Sequence, residues 1–293
     1  MVRMTKAAAT LVGCAALCAI GAQAKAEIIV ASTFQNFLIS WDSADPTNIL
    51  TGVAIQGMGQ NETVIGLDAR PSTGEIYALG SFGRLYTVDM MNGQATRIGT
   101  TPFSPALNGS NFGTDFNPTN DTMRIVSNAK QNLRVNPGNA SITADPNVRP
   151  TSTGEGSETG SNIVHLAYSN NTFDSTNTQL FAIDTGRDQL VRFTDPNAGT
   201  WTNVGGLNFD ATELGGFDVS GSTGTAFATM VNAGQSRSTF GTINTTTGGF
   251  TPIDEVGGGA IITGMTVVPT VIPAPGVMAL AGLGGLALLR RRR

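Results

Sequence analysis

The chain is poor in the residue types that carry cross-links and acid–base chemistry. It has two cysteines, Cys14 and Cys18, one histidine, His165, and two tryptophans, Trp41 and Trp201. Both cysteines fall in a leader-like N-terminal stretch. The rest of the chain therefore has no disulfide, no thiolate metal site and no cysteine nucleophile. A Ser-His-Asp relay or an imidazole–metal centre would have to run through His165. No Gly-x-Ser-x-Gly elbow, P-loop or His-Glu-x-x-His is present. Positive charge is scarce as well. From Glu27 to Ile272, ten basic residues against all twenty-one acids leave an excess of eleven negative charges. Such a surface repels phosphate backbones, which excludes nucleic acid as a partner.

What is abundant is glycine, 37 residues, set at regular places. Val64–Gly99 reads as four short strands, IGLDA, EIYALG, RLYTVD and QATRIG, separated by PSTG, SFG and MMNG. Breaks this tight supply turn dihedrals and force antiparallel pairing, because a parallel crossover needs a dozen or more residues. One such meander cannot bury both faces, so similar meanders must pack on either side.

The repeat shows at two anchors. The first closes an opening strand: Gly66-Leu67-Asp68, Gly113-Thr114-Asp115, His165-Leu166-Ala167, Gly216-Phe217-Asp218 and Gly264-Met265-Thr266. The second closes a third strand at Asp42, Asp89, Asn136, Asp195 and Asn244, with spacings of 47, 47, 59 and 49 residues. This is close to the period of four-stranded propeller blades, and the extra length falls where loops absorb insertions. Ile28–Gly57 has a third-strand anchor but no opening strand, and Ile261–Pro269 is an opening strand with nothing after it. Joined, the two ends complete one blade and remove an unpaired edge. The expected fold is an all-β, five-bladed propeller over residues 27–270, closed by strands from both ends.

Residues 1–26 read as a signal peptide. Arg3 and Lys6 precede the apolar run Ala7–Ala22, and Ala22-Gln23-Ala24 or Ala24-Lys25-Ala26 supplies a small-x-small cleavage site. Leu11-Val12-Gly13-Cys14 also resembles a lipobox, in which Cys14 would be lipidated. At the other end, residues 271–293 combine Pro273-Ala274-Pro275-Gly276, the thirteen-residue apolar run Val277–Leu289, and Arg290, Arg291, Arg292 and Arg293. As a helix that run covers about 20 Å, short of the roughly 30 Å hydrocarbon core. The order resembles the bacterial PEP-CTERM sorting signal, with Ala274 where that family has Glu. The resemblance implies an exosortase-type processing enzyme as a partner and a transmembrane helix holding the chain before processing. The alternative is a plain C-terminal anchor. Either way the propeller is expected outside the cytoplasmic membrane, at the cell envelope, the outer surface or the extracellular matrix.

Gly66–Gly80, Phe112–Pro118 with Arg124–Asn128, and Leu180–Pro196 together resemble, in order, the bacterial secreted family called domain of unknown function 4394. The resemblance covers about Gly57 to Gly259. It implies a propeller-like repeat protein and supplies no catalytic residues.

Candidate site residues are few. Asp68, Asp115 and Asp218 recur at the inner strand's end, where a ring of carboxylates would hold Ca²⁺. Each directly precedes turn residues, so the expected role is acceptance of turn amides. His165 sits in the slot that glycine fills in sister strands, near the ring axis, and is expected to be a bonded strand residue rather than a ligand. Trp41 and Trp201 offer flat faces for sugars, but their strand contexts favour packing between blades. Two functions follow. The preferred one is a non-catalytic surface or matrix protein that binds an exopolysaccharide or a surface protein. The alternative is a metal-dependent propeller hydrolase or lactonase using the channel carboxylates and His165.

Overall fold

The computed structural model describes residues 26–151 and 160–268. The leader, apart from Ala26, and the apolar tail lie outside them, as do Ala22, Ala24, Pro273, Pro275, Gly276 and Arg290–Arg293. Among the described residues no helix is long and apolar enough to cross a membrane.

The unit first legible in the sequence is one blade: β4 (Val64–Ala69), β5 (Ile76–Gly80), β6 (Arg84–Val88) and β7 (Ala95–Ile98), antiparallel and in order. The next blade is β8 (Phe112–Asn117), β9 (Thr122–Ser127), β10 (Asn132–Val135) and β11 (Ile142–Asp145). Then come β13 (Ile163–Tyr168), β14 (Leu180–Asp184), β15 (Gln189–Asp195) and β16 (Thr200–Gly206). The fourth is β17 (Ala211–Val219), β18 (Ala226–Asn232), β19 (Ser238–Ile243) and β20 (Phe250–Glu255). The last is shared by the two ends. β21 (Ile262–Val267) pairs with β1 (Ile28–Thr33), followed by β2 (Phe37–Asp42) and β3 (Asp45–Ala54). Inner strands neighbour one another in the cyclic order β21, β4, β8, β13, β17 and back to β21, which closes a five-bladed propeller.

Both sets of anchors fall where the repeat places them. Each first anchor lies on an inner strand, and each second anchor ends or directly follows a third strand. One element escapes the pattern. β12 (Arg149–Pro150) adds a parallel edge beside β16, in the long connection between the β11 and β13 blades.

Strand alternation explains the ring. Ile76 and Ala78 of β5 pack with Val30, Leu38 and Leu67 toward the shared blade, whereas Tyr77 and Leu79 pack with Phe116, Met123 and Leu133 of the next. Every residue of β5 is buried, which a solitary meander could not achieve. Each of the five seams has such a core. Trp201 packs with Leu166 and Tyr168, Phe217 with Ile183 and Met230, and Trp41 with Phe227, Phe240 and Met265. Each fully buried large apolar side chain contributes roughly 1.5–3 kcal/mol. Both tryptophans are at most 1% exposed and packed, so the sugar-stacking role does not apply to them. Trp41 meets the Phe240 ring edge-on at 5.5 Å.

All inner strands run the same way. Their opening residues rim one face, the mouth, and their ends reach the opposite face, the base, about 20 Å away at roughly 3.3 Å per residue.

Candidate functional site

The glycines of the first anchor form a neck on the axis. A Cβ on Gly113 would lie 2.5 Å from the His165 backbone nitrogen, and one on Gly264 would lie 2.6 Å from that of Leu67. Adjacent inner strands approach too closely at this level for a side chain. The remaining void is about 10 Å3, roughly the space of one water. His165 takes the glycine slot of its own blade with a left-handed backbone, φ +50°, at a β-bulge between Val164 and Leu166. It is 4% exposed and its Nε2 has no hydrogen-bond partner. Burial lowers its pKa to about 4, so the ring is neutral. The bonded strand residue expected from the sequence is therefore unbonded at that nitrogen.

Two residues further along the strands, Asp68, Asp115 and Asp218 turn inward. One carboxylate oxygen from each lies within 4.8 Å of the others, and none of the three residues is more than 1% exposed. His165 is not part of this set. The turn-amide role expected for the three aspartates is met only by Asp68, whose Oδ1 accepts the amide of the following residue, Ala69, at 2.8 Å; the other partners lie across the seams. Asp68 Oδ2 accepts the Phe116 amide of the next blade at 2.6 Å, and Asp218 Oδ2 accepts the Val267 amide of its own neighbour at 2.6 Å. Each spans a seam between blades. The side chain alternates toward the axis, away from the turn that follows in sequence.

Thr266 occupies the fifth-blade version of this slot. Its hydroxyl lies 2.9 Å from Asp68 Oδ1 and 3.0 Å from Asp218 Oδ2, and it accepts the Ala69 amide at 3.1 Å. Ala167 fills the slot in the β13 blade and brings no oxygen. There Asn171 reaches Asp218 Oδ1 from the base side at 3.3 Å. Asp115 differs from the other two. The Tyr168 amide is near enough to pull its pKa down against burial, yet neither oxygen makes a hydrogen bond of ordinary geometry.

Burial, reinforced by the Asp218 charge, holds the Asp68 carboxyl well above the usual carboxylate range. Burial, then the charges of Asp68 and Asp218, does the same to Asp115. Burial pushes Asp218 up to about 7, with amides and hydroxyls pulling the other way. The three aspartates stand out in the sequence as a repeated anchor; the reading of that anchor did not extend to their partners Thr266 and Asn171, although Gly264-Met265-Thr266 was the matching anchor.

A second feature lies above the neck. At the mouth, Phe34, Ile65, Phe112, Leu214, Asn111 and Glu213 line a depression of about 290 Å3. Phe34 is 62% exposed. Glu213 is held by the Asn162 amide, which donates to its Oε1 at 2.9 Å. Ser110 borders the depression, and its hydroxyl donates to Asn111 Oδ1. The sequence had no signal for this feature, because its residues come from five separate turns and strand starts.

No curated protein matches this sequence. Several solved structures resemble it. They include a Bacteroides thetaiotaomicron protein of unknown function (14% identity, TM-score 0.46, 85% of this chain and 68% of that one). Glutaminyl cyclase from Myxococcus xanthus is 19% identical, with a TM-score of 0.44 over 67% of this chain and 78% of that one. The Dos1 propeller is 14% identical, with a TM-score of 0.41 over 77% and 57%. The model of the family described as Domain of unknown function (DUF4394) matches residues 37–266, nearly the whole ring from β2 to β21, and the chain belongs to that family.

Proposed function

We propose that the chain is an exported protein that displays a non-catalytic propeller at the cell surface or in the extracellular matrix. Its mouth would bind a polysaccharide, or alternatively a surface protein. In this reading residues 1–26 are the export leader and 27–270 the binding domain. Residues 271–293 are a sorting segment that holds the chain in the membrane until an exosortase-type enzyme removes it.

The observation that carries the reading is the separation of cavity from chemistry. The depression at the mouth is lined by aromatic and aliphatic side chains together with amide, hydroxyl and carboxylate groups, a mixture suited to sugar rings and their hydroxyls. No described nucleophile–base pair faces it. Ser110 is bonded to asparagines, and the histidine is buried in the neck below. A metal-dependent hydrolase or lactonase would need its substrate at the axial carboxylates. The neck leaves space for about one water.

Fractionation of the native cells tests the first half. The chain is expected in the envelope or matrix fraction, and a predominantly soluble cytoplasmic pool overturns export. Co-sedimentation of the purified chain with isolated extracellular polysaccharide tests the second. Phe34→Ala, at an exposed position that leaves the core intact, is expected to weaken retention at least tenfold. Equal retention of both proteins would remove the mouth from the argument.

A further inference from the structure

We propose that Asp68, Asp115 and Asp218 form a buried site for one hard divalent cation of calcium size, which ties three blades together across the axis. The inference is independent of what the mouth binds.

Three observations meet at this point. The first is geometric. Carboxylate oxygens from three separate blades converge within 4.8 Å. Ligands of one calcium ion, at about 2.3–2.6 Å, lie no more than roughly 4.6–5.2 Å apart, so this separation accommodates it, and magnesium, which gives up its waters reluctantly, suits a dry, buried set less. An all-carboxylate set also selects hard cations over zinc or copper, which favour nitrogen and sulfur.

The second is the state of Asp115. It is fully buried, and both oxygens lack a hydrogen-bond partner while facing the other two acids. A buried carboxyl in that condition either keeps its proton or takes a positive charge beside it, and the ionised form is stable only with the charge. No ion pair among the described residues includes any of the three aspartates. Their neighbours on the axis are glycines, Thr266 and the neutral His165.

The third is the Thr266 hydroxyl. It has one hydrogen and stands about 3 Å from two carboxylate oxygens, Asp68 Oδ1 and Asp218 Oδ2. That hydrogen serves one contact, and the other therefore needs either a proton on one carboxyl or a cation between the two carboxylates.

The role that follows is structural. Each aspartate sits on an inner strand, the part of every blade nearest its neighbours. A cation there would replace mutual repulsion with attraction at the hub, linking three blades of a propeller that contains no cysteine.

Because the site is sealed, the ion has to load as the ring forms, so the test uses refolding. The full chain is denatured, stripped with EDTA and refolded with either Ca²⁺ or EDTA. Metal content is read by elemental analysis and stability by thermal melting. The expected result is one calcium per chain and a higher melting temperature. At calcium 100-fold above Kd, the folded-to-unfolded ratio rises about 100-fold. Asp115→Asn keeps the shape and removes one charge. It is expected to abolish the calcium response while melting higher than wild type in EDTA. Asp42→Asn, at a surface turn where Asp42 accepts the Ala44 amide, is expected to respond to calcium as wild type does. No bound metal and no calcium-dependent shift in the wild type would overturn the proposal. An undiminished response in Asp115→Asn would overturn it equally, and if Asp115→Asn fails to fold, Thr266→Val with the same readouts decides.

Discussion

Replacing Arg124 by Met should cost more stability than any other single surface-neutral change in the β8 blade. Arg124 lies on β9 and is 1% exposed. Its Nε donates to Tyr168 Oη at 2.9 Å. Nη1 donates to Asn132 Oδ1 at 2.6 Å, Asp145 Oδ2 at 3.0 Å and the Pro196 carbonyl at 3.0 Å, and Nη2 reaches Asn197 Oδ1 at 2.6 Å. One guanidinium thus joins the β8 blade to the β13 blade. Met keeps the aliphatic volume and removes every donor. Breaking a buried ion pair costs about 3–5 kcal/mol. The lower end applies here, because Asp145 retains Arg134 through two contacts of 2.8 Å. For a domain of this size about 3 kcal/mol corresponds to roughly 6–12 °C in Tm. Denaturant unfolding followed by circular dichroism measures it, with Arg124→Lys expected between Met and wild type, since an ammonium matches fewer of the five acceptors. Because the pair is buried, the loss should persist in high salt. A loss below about 1 kcal/mol would mean that the network is ornamental and that apolar packing alone holds this seam.

Other expectations concern the axis and the closure. In EDTA, a carboxyl whose pKa is higher folded than unfolded stabilises the fold fully below its unfolded value, about 4, and ceases to as pH rises through the folded value, about 7 for Asp218. His165, held low at about 4, acts oppositely on acidification. Comparing melts of wild type and Asp115→Asn cancels that contribution, and the gap between them should be small at pH 5 and wide at pH 8. Gly113→Ala should cost about 1–3 kcal/mol by chemical denaturation, because its Cβ would press on the His165 backbone at 2.5 Å. Deleting Ile262–Val268 strips the inner strand from the shared blade and exposes β1, so cooperative unfolding should be lost and aggregation should appear in size-exclusion chromatography.

The ring was legible in the sequence because its constraints repeat. Gly66, Gly113, Gly216 and Gly264 recur where inner strands crowd, and alternation along each strand sorts residues between two seams. β12 was not legible, since Arg149 and Pro150 are polar and turn-like, and only the Trp201 strand beside them makes them a strand. The aspartates were legible as residues and only in part as to role. Asp68 before Arg70-Pro71-Ser72 looks locally like a turn acceptor, and only closure of the ring turns three distant copies of one position toward each other. Arg124 drew attention only as part of a family motif. Its five partners come from four segments that no local pattern connects. Phe34 and Glu213 meet at the mouth for the same reason, as neighbours in space from unrelated turns.

The blade built from both ends has one more consequence. The Val268 amide donates to the Ile28 carbonyl at 2.9 Å, so the described chain enters and leaves side by side on the base. Anything tethered through either end pulls from that side. Such a force would fall across the β1–β21 ladder, and the aromatic depression would face the opposite side, away from the tether.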